Sequence, residues 1–166
     1  MNIVVVVMSL LMTLSIGTLQ AEVKSTSKET AILLITSVEL KDSWQEFSEW
    51  KYTIGKPTEI LTVKEISTLY TGKDIQEKIR FCILDYAERK STKWVILGGD
   101  SQQDGKGHVP DRDTKHTVMG RIRYDDIPSD IYYISDKSWD ANNDGIYGDW
   151  ENDKTAISYS NKWATT

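Results

Sequence analysis

The sequence has one cysteine, two histidines and no charged side chain before Glu22. A single thiol, Cys82, excludes an internal disulfide framework. The G-x-G-x-x-G fingerprint of a dinucleotide site is missing, and Gly98-Gly99 alone does not replace it. Basic residues are outnumbered, 20 to 25, for a net charge of −5, and no basic stripe runs along the chain. That balance argues against a nucleic-acid partner. Internal repeats are also missing.

The uncharged stretch 1–21, MNIVVVVMSLLMTLSIGTLQA, is apolar through most of its length and ends in small or polar residues before Glu22. It reads as a secretory signal peptide, with an uncleaved N-terminal anchor as the rival reading. The expectation is a secreted or cell-surface protein with no stable membrane insertion once the signal is removed. Residues 22–29 then form a polar linker, 30–153 one domain and 154–166 a C-terminal tail without clear periodicity. A domain of that size buries roughly two-thirds of its unfolded surface. Without disulfides, it needs a good core or another staple.

Three short apolar runs alternate with helical patterns. Residues 30–36 (TAILLIT) read as a strand buried on both faces. A helix is expected from Ser37 through Lys51, with Leu40, Trp44, Phe47 and Ile54 on one stripe, stopped by Gly55 and Pro57. Residues 58–63 (TEILTV) form a second strand. Asp74 and Glu77 open a second helix with the stripe Ile75, Ile79, Cys82, Ile83 and Tyr86. Residues 93–97 (KWVIL) form a third strand ending at Gly98-Gly99-Asp100. Strand–helix alternation at these spacings predicts an α/β fold with an open, mainly parallel sheet and flanking helices. Beyond it, 101–117 reads as a long polar loop and 118–124 as a short strand or hairpin arm. Residues 127–130 read as a turn and 131–134 (IYYI) as a further strand. Trp44, Trp50, Trp94, Tyr132 and Tyr133 are assigned to core and sheet packing.

The densest chemistry lies in 139–151, WDANNDGIYGDWE. Residues 130–153 hold seven acids against one base, Lys137, and like charges at that density repel unless something positive sits among them. Counting from Asp140, oxygen donors fall at Asp140, Asn142 and Asp144, glycine at Gly145 and a glutamate, Glu151, at position 12. This completes the D-x-[DN]-x-[DN]-G-x5-E calcium pattern. Oxygen-only ligation selects a hard cation, Ca²⁺ over Mg²⁺ for a flexible anionic loop. An EF-hand needs a helix on each side, and here a strand-like segment leads in, so the pattern points to a structural calcium loop; a plain acidic turn is the bland alternative. Asp100, just past a strand end, sits where open α/β sheets place ligands, or is simply a turn residue.

Nucleophilic chemistry has little support. Cys82 lies on the apolar stripe of a helix, where a thiol is a small buried hydrophobe, and His108 and His116 read as solvated loop residues. Pairing of Cys82 with either histidine would make a peptidase. Exposure of the 101–117 loop would instead suit a calcium-dependent adhesion or interaction module.

The ordered segments ILLITSVELKDSWQEFSEWKYTIGKPTEILTVKEI, YTGKDIQEKIRFCILDY, KWVILGGD, VPDR, IPSDIYYISD and WDANNDGIYGD resemble the N-terminal part of the catalytic domain of gingipain-type cysteine peptidases, over about residues 30–149. The resemblance implies a caspase-like three-layer fold, export and bound calcium. By carry-over it makes Asp100, Asp144 and Asp149 the ligands, with the Tyr147 carbonyl added. In that family the catalytic His, in a His-Gly context, and the Cys follow this segment. No His-Gly occurs in this chain, and Cys82 does not match the nucleophile. The expectation is a truncated or non-catalytic N-terminal subdomain, with no catalytic residue of its own and with the C-terminal peptidase half, or a protein substrate, as partner.

Overall fold

The structure, a computed structural model, describes residues 29–101 and 107–153. The expected signal peptide 1–21, nearly all of the linker and the tail 154–166 lie outside the described residues. No helix among the described residues is long and apolar enough to cross a membrane.

A parallel sheet forms the centre: β1 (Ile32–Thr36), β2 (Thr58–Thr62) and β3 (Trp94–Gly98), in the order β2-β1-β3. The central strand ILLIT is buried at every residue, as a run without polar alternation requires. Helix α3 (Ile75–Arg89) covers one face. Its Ile79, Cys82, Ile83 and Tyr86 are buried in one cluster with Leu33 and Ile35, at the spacing read from the sequence. Each such aliphatic side chain contributes about 1.5–3 kcal/mol on burial. Asp74 caps α3 by accepting the Glu77 amide at 2.8 Å. The architecture is α/β, a small parallel sheet with flanking helices, consistent with the first subdomain of a caspase-like fold.

Several local expectations are corrected. The first helix does not start at Ser37: residues 38–41 turn, a 3-10 segment spans Asp42–Trp44, and α1 runs Gln45–Thr53. None of its residues is fully buried. Of the five aromatics assigned to core and sheet packing, Tyr132 and Tyr133 are buried, Trp44 is half-buried, Trp94 lies on sheet strand β3 at 43 % exposed, and Trp50 is 54 % exposed. The second strand stops at Thr62, because Thr62 opens helix α2 (Val63–Leu69) with a full capping box. Its hydroxyl accepts the Glu65 amide at 3.1 Å, and the Glu65 carboxylate accepts the Thr62 amide at 2.7 Å.

The expected polar loop contains β4 (Arg112–Val118), which pairs antiparallel with β5 (Arg121–Ser129). The 127–130 turn is therefore the end of a strand. Residues 131–134 are 3-10 helix, Asp130–Ile134, not strand. A strand would send Tyr132 and Tyr133 to opposite faces. The tighter turn sends both inward beside α3, where they are 0 % and 1 % exposed.

Candidate metal centre

The acidic loop is built outward from Tyr132. Arg80 of α3 donates to the carbonyls of Ser135 and Lys137 at 3.3 and 2.9 Å and anchors the incoming chain. Trp139 and Tyr147 then stack edge-on against the Tyr132 ring at 6.0 and 5.9 Å, and the Gly148 amide donates to the Trp139 carbonyl at 2.7 Å. The Arg112 guanidinium lies 3.9 Å over Tyr147 while ion-pairing with Asp74 at 2.7 Å. Residues 140–146 are thus a loop pinned at its base. Within it Asn143 and Gly145 take left-handed backbone conformations, φ 59° and 80°, and turn the chain back; Gly145 is where the pattern places the glycine.

Along this path Asp140 and Asp149 are buried, whereas Asn142 and Asp144 stay exposed. Asp140 is 3 % exposed, and its Oδ1 accepts the Asp144 amide at 3.0 Å. Asn142 accepts the same amide at 3.3 Å and donates its Nδ2 to the Asp144 carboxylate at 2.8 Å. The other Asp144 oxygen accepts the Ile146 amide at 2.8 Å. Asp149, 2 % exposed, accepts the Glu151 amide at 3.2 Å and the Asn152 side chain at 2.7 Å. Asp153, which the sequence pattern did not include, is 0 % exposed and closes the loop. It accepts the amides of Ala141 and Asp149 at 2.7 and 3.0 Å. Burial pushes its carboxyl above the ordinary range; those two amides pull it down, and the charges of Asp140 and Asp144 push it up again. Its signal was the spacing Asp149–Asp153, four residues apart, with Asp149 just before the short helix α4 (Trp150–Asp153) and Asp153 at its end.

The remaining expected donors are otherwise engaged. The Glu151 carboxylate reaches the β4–β5 turn and accepts the amides of Met119 and Gly120 at 2.6 and 3.1 Å. The Tyr147 carbonyl accepts the Lys115 amide at 3.1 Å. Asp100, exposed at the end of β3, faces His108, with 2.5 Å between Oδ1 and Nδ1, and the Val109 amide closes that turn onto the Asp100 carbonyl at 3.1 Å. A Cβ on Gly99 would stand 2.3 Å from the His108 Cβ, so glycine lets the histidine side chain lie there. His108 is the partly exposed loop residue the sequence suggested, here oriented by a carboxylate, whereas His116 sits in β4 rather than in a loop.

Among the described residues, no three or more His, Cys, Asp or Glu side chains converge as a metal cage. The donor chemistry nevertheless fits a hard cation. Calcium draws on amide oxygens, backbone carbonyls and waters as well as carboxylates. Asp140, Asn142, Asp144 and Asp149 supply only oxygen, and a carboxylate already accepting one amide keeps lone pairs for more. A positive charge does reach this set: the Lys73 ammonium lies 3.9 Å from the buried Asp140.

Cys82 is wholly buried in α3, and burial pushes its thiol up to about 12, with the Tyr70 hydroxyl pulling the other way.

The family model of peptidase family C25 matches residues 25–157. No curated protein and no solved structure matches the chain. The matched span includes the sheet, α3 and the acidic loop, and the chain belongs to peptidase family C25, the gingipain family.

Proposed function

We propose that this chain is an exported, non-catalytic scaffold unit of a gingipain-type peptidase, held together by a structural calcium ion in the 140–153 loop. The observation that carries the reading is the burial of Asp140, Asp149 and Asp153 in one loop whose base is pinned to Tyr132. Buried carboxylates this close are costly unless hydrogen-bonded and balanced by positive charge. Asp140, Asn142, Asp144 and Asp149 would hold the ion. Calcium would supply the charge that lets these oxygens stay together, and no step of bond cleavage depends on it. Asp153 would hold the loop closed from behind through Ala141 and Asp149.

The non-catalytic part rests on the thiol. The only cysteine of the sequence is buried in a helix, and His108 is turned to Asp100. A nucleophilic thiolate needs exposure and a base beside it. The peptidase chemistry would come from a partner half that brings its own histidine and cysteine. Export would remove residues 1–21.

Thermal unfolding with and without calcium tests the scaffold reading. An ion at a hundredfold excess over its dissociation constant stabilises by about 2.7 kcal/mol, so Tm should rise by several degrees. Asp144→Ala should lose that increment. A Tm indifferent to calcium up to about 10 mM, well above the weakest extracellular sites, rejects the calcium staple. Sequencing the N-terminus of the exported protein should find Glu22 first.

A further inference from the structure

Lys73 stands immediately before Asp74, the N-cap of α3. A helix favours negative charge at that end and positive charge at the other, so a lysine there works against α3. Its neighbour Asp74 is already paired with Arg112 at 2.7 Å. The Lys73 ammonium instead crosses to the acidic loop, 70 residues further along the chain. There it donates to the Asn143 side-chain oxygen at 3.4 Å and stands 3.9 Å from Asp140 Oδ2. Asp140 Oδ1 accepts the Asp144 amide at 3.0 Å, so the ammonium faces the other oxygen of the same carboxylate. The two sides of this contact differ in freedom. The Asp140 side chain is 2 % exposed, whereas that of Lys73 is 57 % exposed, a hydrated charge on a flexible four-carbon stem. The Lys73 backbone is held, its amide donating to the Glu77 carboxylate at 2.7 Å, while the ammonium has water to swing into.

We propose that Lys73 is a tethered counter-cation of the acidic loop, which a metal ion must displace in order to bind. The inference rests on the calcium reading of that loop and adds a competitor carried by the chain itself. An ion on Asp140 at the calcium–oxygen distance of roughly 2.3–2.6 Å would stand within a few ångströms of the ammonium, where like charges repel. Lys73 therefore leaves as the ion enters, and the work of moving it is subtracted from the calcium affinity. The exchange also selects by valence. A monovalent cation that replaces an ammonium brings the carboxylates no gain in charge, whereas a dication brings one unit more. Sodium and potassium thus gain nothing at this loop, and calcium does.

Titration calorimetry of the full chain with calcium chloride tests this on the wild type, Lys73→Met, Lys73→Gln, Lys73→Arg and Lys93→Met. The first two variants remove the charge and the third keeps it. Lys93, beyond the far end of α3, controls for the change in net charge. Both neutral Lys73 variants should bind calcium about three- to fivefold more tightly, the fold-change that an exposed charge pair supports. Lys73→Arg and Lys93→Met should match the wild type. In chelator, exchanging choline chloride for sodium chloride at equal ionic strength should leave the wild-type Tm unchanged and raise that of the neutral variants. Circular dichroism confirms that each variant is folded. Equal calcium affinity in the wild type and both neutral variants overturns the tethered cation and leaves the calcium staple standing. Neutral variants as indifferent to sodium as the wild type overturn it too. Calcium binding by none of the chains overturns the staple itself, and the inference falls with it.

Discussion

Asp153 fastens the end of the acidic loop to its beginning: its Oδ1 accepts the Ala141 amide at 2.7 Å across twelve residues. Its Oδ2 takes the Asp149 amide at 3.0 Å, so one fully buried carboxylate satisfies two backbone donors. Asp153→Ala leaves both donors without an acceptor, a loss of about 1–3 kcal/mol. Removing a negative charge near Asp140 and Asp144 offsets part of that. The net expectation is a lower urea midpoint, measured in calcium, where the repulsion is already balanced. An unchanged midpoint would mean that the loop does not depend on this closure.

Glu151 separates the sequence pattern from the structure most sharply. At position 12 the pattern makes it a ligand, whereas its carboxylate accepts the Met119 and Gly120 amides of the hairpin turn. A carboxylate held there ties α4 to the β4–β5 turn. Glu151→Ala should therefore raise hydrogen exchange at Met119 and Gly120 and cost about 1 kcal/mol, while the calcium-dependent rise in Tm persists. If the variant instead abolishes that rise, Glu151 is a ligand and the hairpin contact gives way when the ion binds.

How much of this was legible beforehand depended on whether the signal was local. The sheet strands and α3 follow from apolar period alone, and Ile79, Cys82, Ile83 and Tyr86 lie where that period puts them. Helix α2 carried its own signal, the Thr62–Glu65 capping box, which the β-branched run before it obscured. Tyr132 and Tyr133 were read as packed residues, but on a strand; the 3-10 turn that buries both depends on α3 and the loop packing from elsewhere in the chain. The same holds for the site. Spacing singled out Asp140, Asn142 and Asp144, and the family resemblance added Asp149. Asp153 and the pairing of His108 with Asp100 were not readable, since each depends on where the backbone returns.

Glu59 gives the acid limb of stability a named origin. Burial alone would raise its carboxyl, but the Lys90 ammonium at 2.7 Å, the Tyr86 hydroxyl at 2.6 Å and the Thr30 hydroxyl at 3.0 Å hold it below the usual carboxylate range. A carboxyl depressed in the folded state stabilises the fold above its unfolded value, about 4.3 for glutamate, and that stability is lost as pH falls through the folded value. The side chain is partly exposed, so solvent screening keeps the contribution modest. Glu59→Gln should be less stable than wild type at pH 7, and the two should converge toward pH 3. Urea midpoints across that range decide it; curves that stay parallel would assign the acid loss to other carboxyls such as Asp74 and Asp85, also held low.

Cys82 bears on whether the chain is a scaffold or a nucleophile. With the thiol pushed up to about 12, the thiolate fraction at pH 8 is roughly one part in ten thousand. Its side chain is 0 % exposed between α3 and the sheet, so a reagent reaches it only when the helix opens. Alkylation by iodoacetamide should therefore be slow in the folded protein and rapid in denaturant, with the native rate tracking unfolding. Cys82→Ala should cost about 1 kcal/mol of stability through the small cavity it leaves. Prompt, stoichiometric labelling of the native chain at neutral pH would remove the basis for the scaffold reading, since only an accessible, activated thiolate reacts that way.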